Sequence, residues 1–570
     1  MYRYESAFAR LVAEATDLSE DEAKGLIRIP EPDKGDLSIP CFPLAKRFRK
    51  NPAQIAGEIA EAIGRDPRFS TIAAAGPYLN ATVDPAQIVT SIIPEVRELK
   101  ARFCRSEIGA GKNVVIDYSS PNIAKPLGFH HLRSTMIGNA LARIHEALGY
   151  KVVGINFLGD WGKTFGLLAE AFNRWGDTER LNEEKISYLL ELYIRANKAV
   201  KEDPSFNESA RAMFRKQEAG DEHALSLWTA FREHSIAEFE KVYRRLGVHG
   251  RFLFEGESTY RDGMDRVIEK VHEKAGTRED QGALIVDMEY AEGEPPMMLR
   301  KSDGATLYAT RDIAAAIHRF ERFDFAKSLY VVGVEQKRHF DQLKRALTAM
   351  GFDWAERMTH VQFGRVQGMS TREGKVVFLD KVLDEAKARA LEKMRETAGE
   401  RDIDIETVAE LVGVGGIVFG DLKNLRTSDY SFDWEEILNP KGFTGVCVQY
   451  AHARCCSVLG KGGGAPDTAE ADLSLLNATE EVALVKDLSR LPAAVQAAAD
   501  NLEPSRLARA VYEVARSWNR YQQAGNADRS LRILCRDEPT RKARLALVDA
   551  VRTGISNVLE MLGVPHPDAM

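Results

Sequence analysis

The stretch PLGFHHLRST, residues 126–135, sets two adjacent histidines, His130 and His131, where an apolar strand-like run gives way to a helical one, with Lys125 just upstream. A helix start leaves backbone N–H groups without intrahelical partners and carries the positive end of the helix dipole. With a lysine and two imidazoles beside it, the loop has the makings of an anion site. The same residues also suit an ordinary polar helix start, and residue types alone leave both readings open. A second candidate is GMSTREGK at 368–375, which read alone is a glycine-rich turn with Arg372 and Lys375 in it.

The elements that must position the first loop are legible around it. NVVIDYSS precedes it, a helix is expected from about 131 to 148, and KVVGINFLGDWG follows. Leu132, Met136, Ile137, Ala140, Leu141, Ile144 and Leu148 keep one helical face, and the flanking Val/Ile runs suit buried parallel strands. This is a βαβ unit, consistent with an α/β nucleotide fold.

Residues 1–108 read as a small α+β unit with an opening helix, a helix near 52–63 and a strand-like TIAAAGPYLNATV. A charge-rich helical insertion at about 175–280, beginning as early as 163, interrupts the sheet. Strand signals return at ALIVDMEY and SLYVVGVEQ, with the helix-like ATRDIAAAIHRF between them, so βα alternation is expected to resume. From about 440 the pattern is helical to the end and reads as a bundle.

At 570 residues the chain calls for two to four domains, and its 44% apolar and 29% charged composition is that of a soluble globular protein. The acidic N-terminal stretch is no secretion signal and no apolar run reaches membrane-spanning length, so a cytoplasmic protein is expected. Six cysteines without a CxxC pair argue against a zinc or disulfide framework. The net charge of -7 gives no global attraction for a polyanion, yet residues 505–555 carry eleven Lys or Arg against five acids, a local +6.

The loop DYSSPNIAKPLGFHHLRSTMIGNA resembles the arginyl-tRNA synthetases, class I enzymes whose first strand leads into S-x-P-N-x-A-K, a HIGH-type signature and L-R-S-T. Further matches follow in the family's order: ESTY at 257–260, LRKSDGATLYATRD at 299–312, YVVGVEQKRH at 330–339, GMSTREGK, VQYAHARCCSVL at 448–459 and the ending LGVPHPDAM. The resemblance spans the chain. It implies a multidomain α/β architecture. An N-terminal α+β tRNA-binding domain would occupy 1–108, and a Rossmann-type catalytic domain 109–435 with a stem-contact region near 366–435. A helical anticodon-binding domain would occupy 436–570.

The implied activity is arginine–tRNA ligation: ATP and L-arginine give arginyl-adenylate, and the arginyl group passes to the 3'-terminal adenosine of tRNA(Arg), with Mg²⁺ on the phosphates. The implied ATP-binding residues are Lys125, Gly128, His130, His131, Met369, Ser370, Arg372 and Lys375. GMSTREGK resembles the KMSKS loop with Gly368 and Thr371 at its lysine positions, and Lys125 is implied to supply the missing charge. For arginine the resemblance implies Asp117, Ser120, Asn122, Tyr308, Asp312 and Gln336. Carboxylates match the guanidinium fork, and Tyr308 and Asp312 are four apart, hence on one helix face. Tyr78 and Asn80 in the N-terminal unit, with Ala451, Arg454 and Met570 in the C-terminal one, are implied tRNA contacts. A monomer without membrane association is implied.

The signature departs from the family's H-x-G-H: Gly128, Phe129, His130 and His131 stand in its place. Either Gly128 and His130 have exchanged roles, which leaves a working ligase, or the chain is an impaired paralogue that binds tRNA or another RNA. A nucleotidylyltransferase acting on a small substrate is the third reading.

Overall fold

The structure is a computed structural model that describes residues 1–31, 34–261, 263–302, 307–368, 377–397, 403–467 and 470–570. The N-terminal unit packs helices Tyr2–Glu14, Pro52–Ile63 and Pro85–Leu99 on an antiparallel sheet of β1 (Leu37–Pro40), β2 (Phe69–Ala75) and β3 (Tyr78–Val83), in the order β1-β3-β2. TIAAAGPYLNATV is therefore a hairpin, turned at Gly76 and Pro77. Along β3, Leu79, Ala81 and Val83 are buried while Tyr78, Asn80 and Thr82 face outward, the period-2 alternation of a one-faced sheet.

The central sheet is parallel throughout, in the order β11-β10-β4-β5-β6, from β4 (Asn113–Asp117), β5 (Lys151–Leu158), β6 (Leu253–Gly256), β10 (Phe325–Tyr330) and β11 (Met358–His360). β4 carries Val114, Val115 and Ile116 buried between helices, as a parallel strand covered on both faces requires. From β4 the chain moves outward to β5 and β6, then returns to the other side of β4 as β10. That reversal makes the carboxyl ends of β4 and β10 a topological switch point, the place where ligands bind in open α/β sheets.

Two expectations are corrected here. ALIVDMEY supplies β8 (Ala283–Val286) of a separate antiparallel sheet with β7 (Thr277–Asp280) and β9 (Met298–Arg300), not a strand of the parallel core. The strand that does continue the core is β6, inside the span expected to be helical. Its four residues include Glu255, so it lacks a long apolar signature, and the helical insertion proper runs from Lys163 to Arg245.

Past the central sheet, β12 (Val366–Gln367) pairs in parallel with β13 (Tyr430–Ser431), and helices Leu379–Thr397 and Ile405–Leu422 pack between them and the end of the chain. Helices Gly445–Lys461, Thr479–Asp500, Ser505–Ala527 and Glu538–Leu562 form the bundle. Its core holds one charged knot: Arg544 Nε lies 2.8 Å from Glu481, which also accepts from the Tyr521 hydroxyl at 3.0 Å. The N-terminal unit docks on the bundle through Lys486–Asp36 at 2.8 Å and through Asn557, which donates to the Lys100 and Phe103 carbonyls.

Candidate active site

The loop after β4 runs through three non-glycine residues with positive φ: Ser119 (72°), Ser120 (46°) and Ala124 (68°). Each costs on the order of 1–3 kcal/mol and persists only where its surroundings over-determine it. LRST supplies that restraint. The Ser119 N–H donates to Ser134 Oγ at 3.0 Å, and Ser134 Oγ donates to the Val331 carbonyl beyond β10 at 2.7 Å. Thr135 Oγ1 and the Tyr243 hydroxyl each lie 2.8 Å from Ser119 Oγ, and the Ala124 N–H donates to Ser235 at 2.9 Å. Arg133, 1% exposed, donates to the carbonyls of Gly364 and Ser428 at 2.9 and 2.8 Å and meets Asp421 at 3.2 Å. Arg133, Ser134 and Thr135 thus tie the loop to β10, the insertion and the β12/β13 region; the sequence reading had used them only as a signature.

The helix that follows starts at His131, but its first amides are not free as expected: the His131 and Leu132 N–H groups donate to the Gly128 and Phe129 carbonyls. What the loop presents is side chains. His131 Nδ1 lies 3.0 Å from the Gly128 nitrogen and 3.2 Å from the Gly128 carbonyl, so the loop backbone engages Nδ1 and the ring turns Nε2 away from it. Burial, reinforced by the neighbouring His130, holds His131 down to about 3, so it is a neutral donor rather than a cation. His130 is the exposed member of the pair, its ring centroid 4.0 Å from that of His131. Gly128 itself is buried and bridges Phe378. Around it the Phe129 N–H donates to the Val377 carbonyl and the Leu379 N–H to the Leu127 carbonyl, both at 2.8 Å. The residues that follow the second loop in the chain therefore pair directly with the first. Met369, Ser370, Arg372 and Lys375 lie outside the described residues. Gly368, just before them, has φ +86°, a conformation that explains a glycine where the family signature has lysine. Lys125 Nζ sits 4.2 Å from the Tyr193 ring centroid.

The residues expected at arginine divide into two groups. Asp117, at the end of β4, is buried, with Arg319 Nη1 at 2.8 Å on Oδ2 and the Ser120 hydroxyl donating to Oδ1 at 2.8 Å. Arg319 also reaches Glu255 at 3.3 Å. Burial raises the Asp117 carboxyl, with Arg319 opposing the rise. Asp117 and Ser120 are thus already partnered inside the protein. Asp312 differs: its Oδ2 is 2.6 Å from His339 Nε2, its side chain is 24% exposed, and Tyr308 one turn earlier is exposed with its ring against His339. Gln336 is exposed on the turn Val334–Gln336 after β10. Asn122 is exposed and bridges Gly159, where any Cβ would come within 1.8 Å of Asn122 Oδ1.

One acid was missed by the sequence reading. Glu257, the first residue of ESTY, lies 3.3 Å from Arg311, and its carboxyl is pushed up to about 7 by burial, with Asp312 and Asp160 adding to the rise. The signal available was ESTY itself. Its turn is held by Asp160, which accepts from the Ser258 N–H at 2.9 Å and the Ser258 hydroxyl at 2.8 Å and pairs with Arg232 at 3.0 Å.

At the two ends of the chain the surfaces are aromatic and polar. Tyr78 and Phe42, 42% and 54% exposed, meet edge to face, with Asn80 beside Tyr78 on the outer side of β3. On helix Gly445–Lys461, Tyr450 and Arg454 stand exposed one turn apart, 3.2 Å between hydroxyl and Nη1, while His452 turns inward. Ala451 is fully buried in helix packing and so presents no contact surface; Met570 is half-buried against the cluster of Ala390, Ala409 and Val412. Of the basic segment, Arg544 is spent on Glu481, Arg552 on Asp549 and Arg516 on Glu513, whereas Arg506, Arg509 and Arg520 are exposed along one face of helix Ser505–Ala527.

With this geometry in view, three family profiles divide the chain. "Arginyl tRNA synthetase N terminal domain" matches residues 3–83, "tRNA synthetases class I (R), catalytic domain" matches 95–434, and "DALR anticodon binding domain" matches 448–570. The arginine–tRNA ligase of Streptococcus thermophilus is 43% identical over 567 residues, covering 99% of both chains. The chain belongs to the arginyl-tRNA synthetase family. The arginine–tRNA ligase of Streptococcus pneumoniae is 42% identical over 558 residues, covering 97% of each chain. The solved Thermus thermophilus arginyl-tRNA synthetase superposes with a TM-score of 0.83 at 25% identity, covering 99% of this chain and 100% of that one.

Proposed function

We propose that this member of the family is an arginine–tRNA ligase. An arginine carboxylate oxygen attacks the α-phosphorus of ATP, pyrophosphate leaves, and the 2'-hydroxyl of the terminal adenosine of tRNA(Arg) then displaces AMP. The observation that carries the reading is the acceptor set of Asp312, Tyr308 and Glu257 gathered by ESTY and helix Tyr308–Phe323. Opposite it in the chain order stands a loop built for anions, at the same switch point.

Asp312 takes the guanidinium, with Glu257 as second carboxylate and Tyr308 covering it; a paired acceptor is what a planar, permanently charged group needs. Asn122 and Gln336 hold the amino acid's backbone end. His131 donates its Nε2 proton to a phosphate oxygen, His130 serves the nucleotide from the exposed side, and Lys125 brings the cation. Met369, Ser370, Arg372 and Lys375, outside the described residues, are the remaining phosphate-binding residues that the family resemblance implies. Asp117 and Ser120 support the site through Arg319.

The chemistry is positioning and charge stabilisation, with no covalent step on the protein. Mg²⁺ held by one or two carboxylates together with the substrate phosphates would neutralise phosphate charge, and no step by the chain's own residues depends on it. Mg²⁺ arrives as part of the nucleotide substrate.

Tyr78, Asn80 and Phe42 offer stacking and amide groups to an unpaired tRNA loop, and Tyr450 and Arg454 do so for the anticodon, with Met570 setting the helix from behind. Arg506, Arg509 and Arg520 attract the backbone. The domain limits 1–108, 109–435 and 436–570, a stem contact near 366–435, a monomeric state and action in the cytoplasm complete the reading; among the described residues no helix is long and apolar enough to cross a membrane. The decisive experiment is arginine- and tRNA-dependent exchange of labelled pyrophosphate into ATP. Absence of exchange with tRNA still bound would favour the impaired paralogue.

A further inference from the structure

We propose that His452, Cys456 and Asp568 form a binding site for a thiophilic divalent cation of the Zn²⁺ class, which fastens the C-terminal tail to helix Gly445–Lys461. His452 and Cys456 are four residues apart and project from the same side of that helix. Asp568 comes from the tail, and the three donor atoms all lie within 4.8 Å of one another.

The spacings fit a tetrahedral ion. Cys456 Sγ is 3.5 Å from Asp568 Oδ1 and 4.0 Å from His452 Nε2. Metal–sulfur bonds of about 2.3 Å and metal–nitrogen or metal–oxygen bonds of about 2.0–2.1 Å at tetrahedral angles put such donors roughly 3.5 Å apart. Rotamer adjustments bring the three donors, all within 4.8 Å of one another, to those spacings.

The surroundings are also those of a ligand set. His452 Nδ1 faces the Pro567 carbonyl at 3.3 Å; donation there leaves Nε2 as the ring's acceptor, with both ring nitrogens 4.0 Å from Cys456 Sγ. His566 packs against His452 with ring centroids 4.9 Å apart, and its Nδ1 is buried without a partner. Arg552, the nearest cation, is neutralised by Asp549 at 2.8 Å. A thiol resting on a carboxylate would explain Cys456 and Asp568 as ordinary packing, but it does not account for a third metal-ligating side chain, His452, at the same point. Sequence spacing could not announce this site, because its donors are split between a helix and a tail more than a hundred residues away.

The full-length protein is titrated with Co²⁺ as an optical probe. The expected result is a single bound ion giving thiolate-to-metal charge-transfer absorption in the near ultraviolet and the visible bands of tetrahedral cobalt, displaced by Zn²⁺. Cys456→Ser abolishes the charge-transfer band, Asp568→Asn weakens binding at least about tenfold through loss of one anionic ligand, and Cys455→Ser leaves both unchanged. Zn²⁺ raises the Tm of the wild type and not that of Cys456→Ser. Absence of a charge-transfer band in the wild type, or a band that survives Cys456→Ser, overturns the proposal. Asp568 is exposed, so its variant keeps the test open should Cys456→Ser misfold.

Discussion

Asp312 and Asp117 carry the same expectation from the sequence and opposite ones from the structure, which makes the pair a sharp test. Replacing Asp312 by Asn removes an anion whose one internal partner is His339, at 2.6 Å on one oxygen. A carboxylate has about four lone-pair sites, so the guanidinium still finds two acceptors there. Two charge-assisted hydrogen bonds at about 1.5–3 kcal/mol each amount to about 3–6 kcal/mol. At about 1.4 kcal/mol per decade, kcat/KM for arginine falls by roughly 10²–10⁴. Because the side chain is a quarter exposed, the lower half of that range is expected, with Tm unchanged. Replacing Asp117 by Asn acts elsewhere. It leaves the fully buried Arg319 with Glu255 alone, at 3.3 Å, and breaking such a pair costs up to about 3–5 kcal/mol. The expected outcome is a lower Tm, with the arginine KM of the surviving enzyme little changed. Pyrophosphate exchange across an arginine series, beside thermal unfolding of both variants, separates the cases. An Asp312→Asn enzyme with normal arginine KM, or an Asp117→Asn enzyme of normal Tm that no longer recognises arginine, refutes the reasoning.

Arg133→Lys keeps the charge but cannot span the carbonyls of Gly364 and Ser428 together with Asp421; exchange kinetics should lose kcat well ahead of KM, and the double change with Asp421→Asn should cost less than the sum of the two. Glu257 gives a pH dependence. Burial, with Asp312 and Asp160, lifts its carboxyl to about 7, whereas its ordinary value is 4.5. Between those values the folded state holds the extra proton, so stability falls as pH rises from about 4.5 to about 7 and is level above. Urea midpoints at pH 5 and 8 should show this slope in the wild type and lose it in Glu257→Gln. Arginine needs the ionised carboxylate, so its KM should improve over the same rise in pH. Tyr450→Ala and Arg454→Ala should each raise the KM for tRNA with little change in that for arginine, whereas Ala451→Gly should act on stability alone.

What was legible in the sequence followed from local rules. Helices Pro52–Ile63 and His131–Ala147 and strands β4 and β5 declare themselves by periodicity and by Val/Ile runs, and the last three frame the first loop correctly. β6 escaped because four residues ending in Glu-Gly carry no pattern of their own; pairing with β5 makes them a strand. ALIV read as a core strand because an apolar run does not say which sheet will receive it. At the site, residue types pointed to Asp312 and to the histidine pair. They could not tell that Asp117 would be consumed by Arg319, 202 residues away in the chain, or that Glu257 would lie beside Arg311. Long-range pairing of charges decides which acids remain for a substrate, and spacing along the chain does not contain it.

The altered signature GFHH becomes intelligible in the same terms. The loop is held by backbone hydrogen bonds of Leu127 and Phe129 to Val377 and Leu379, and from behind by Arg133, Ser134 and Thr135, none of which depends on the side chains at 128 or 130. His131 is the histidine whose Nδ1 is held by the Gly128 backbone, and it is the one retained at the family position. Position 130 is exposed, so a change there alters what the loop presents to its surroundings without moving the frame. A reordered signature is therefore compatible with a working ligase so long as the bracket around it is intact. Removing the imidazole by His130→Ala should accordingly lower ATP affinity and leave Tm unchanged, while Ser134→Ala, which releases the strained Ser119, should lower both. If His130→Ala instead strengthened ATP binding, the exposed imidazole would be an obstruction and the impaired-paralogue reading would gain the ground that this one loses.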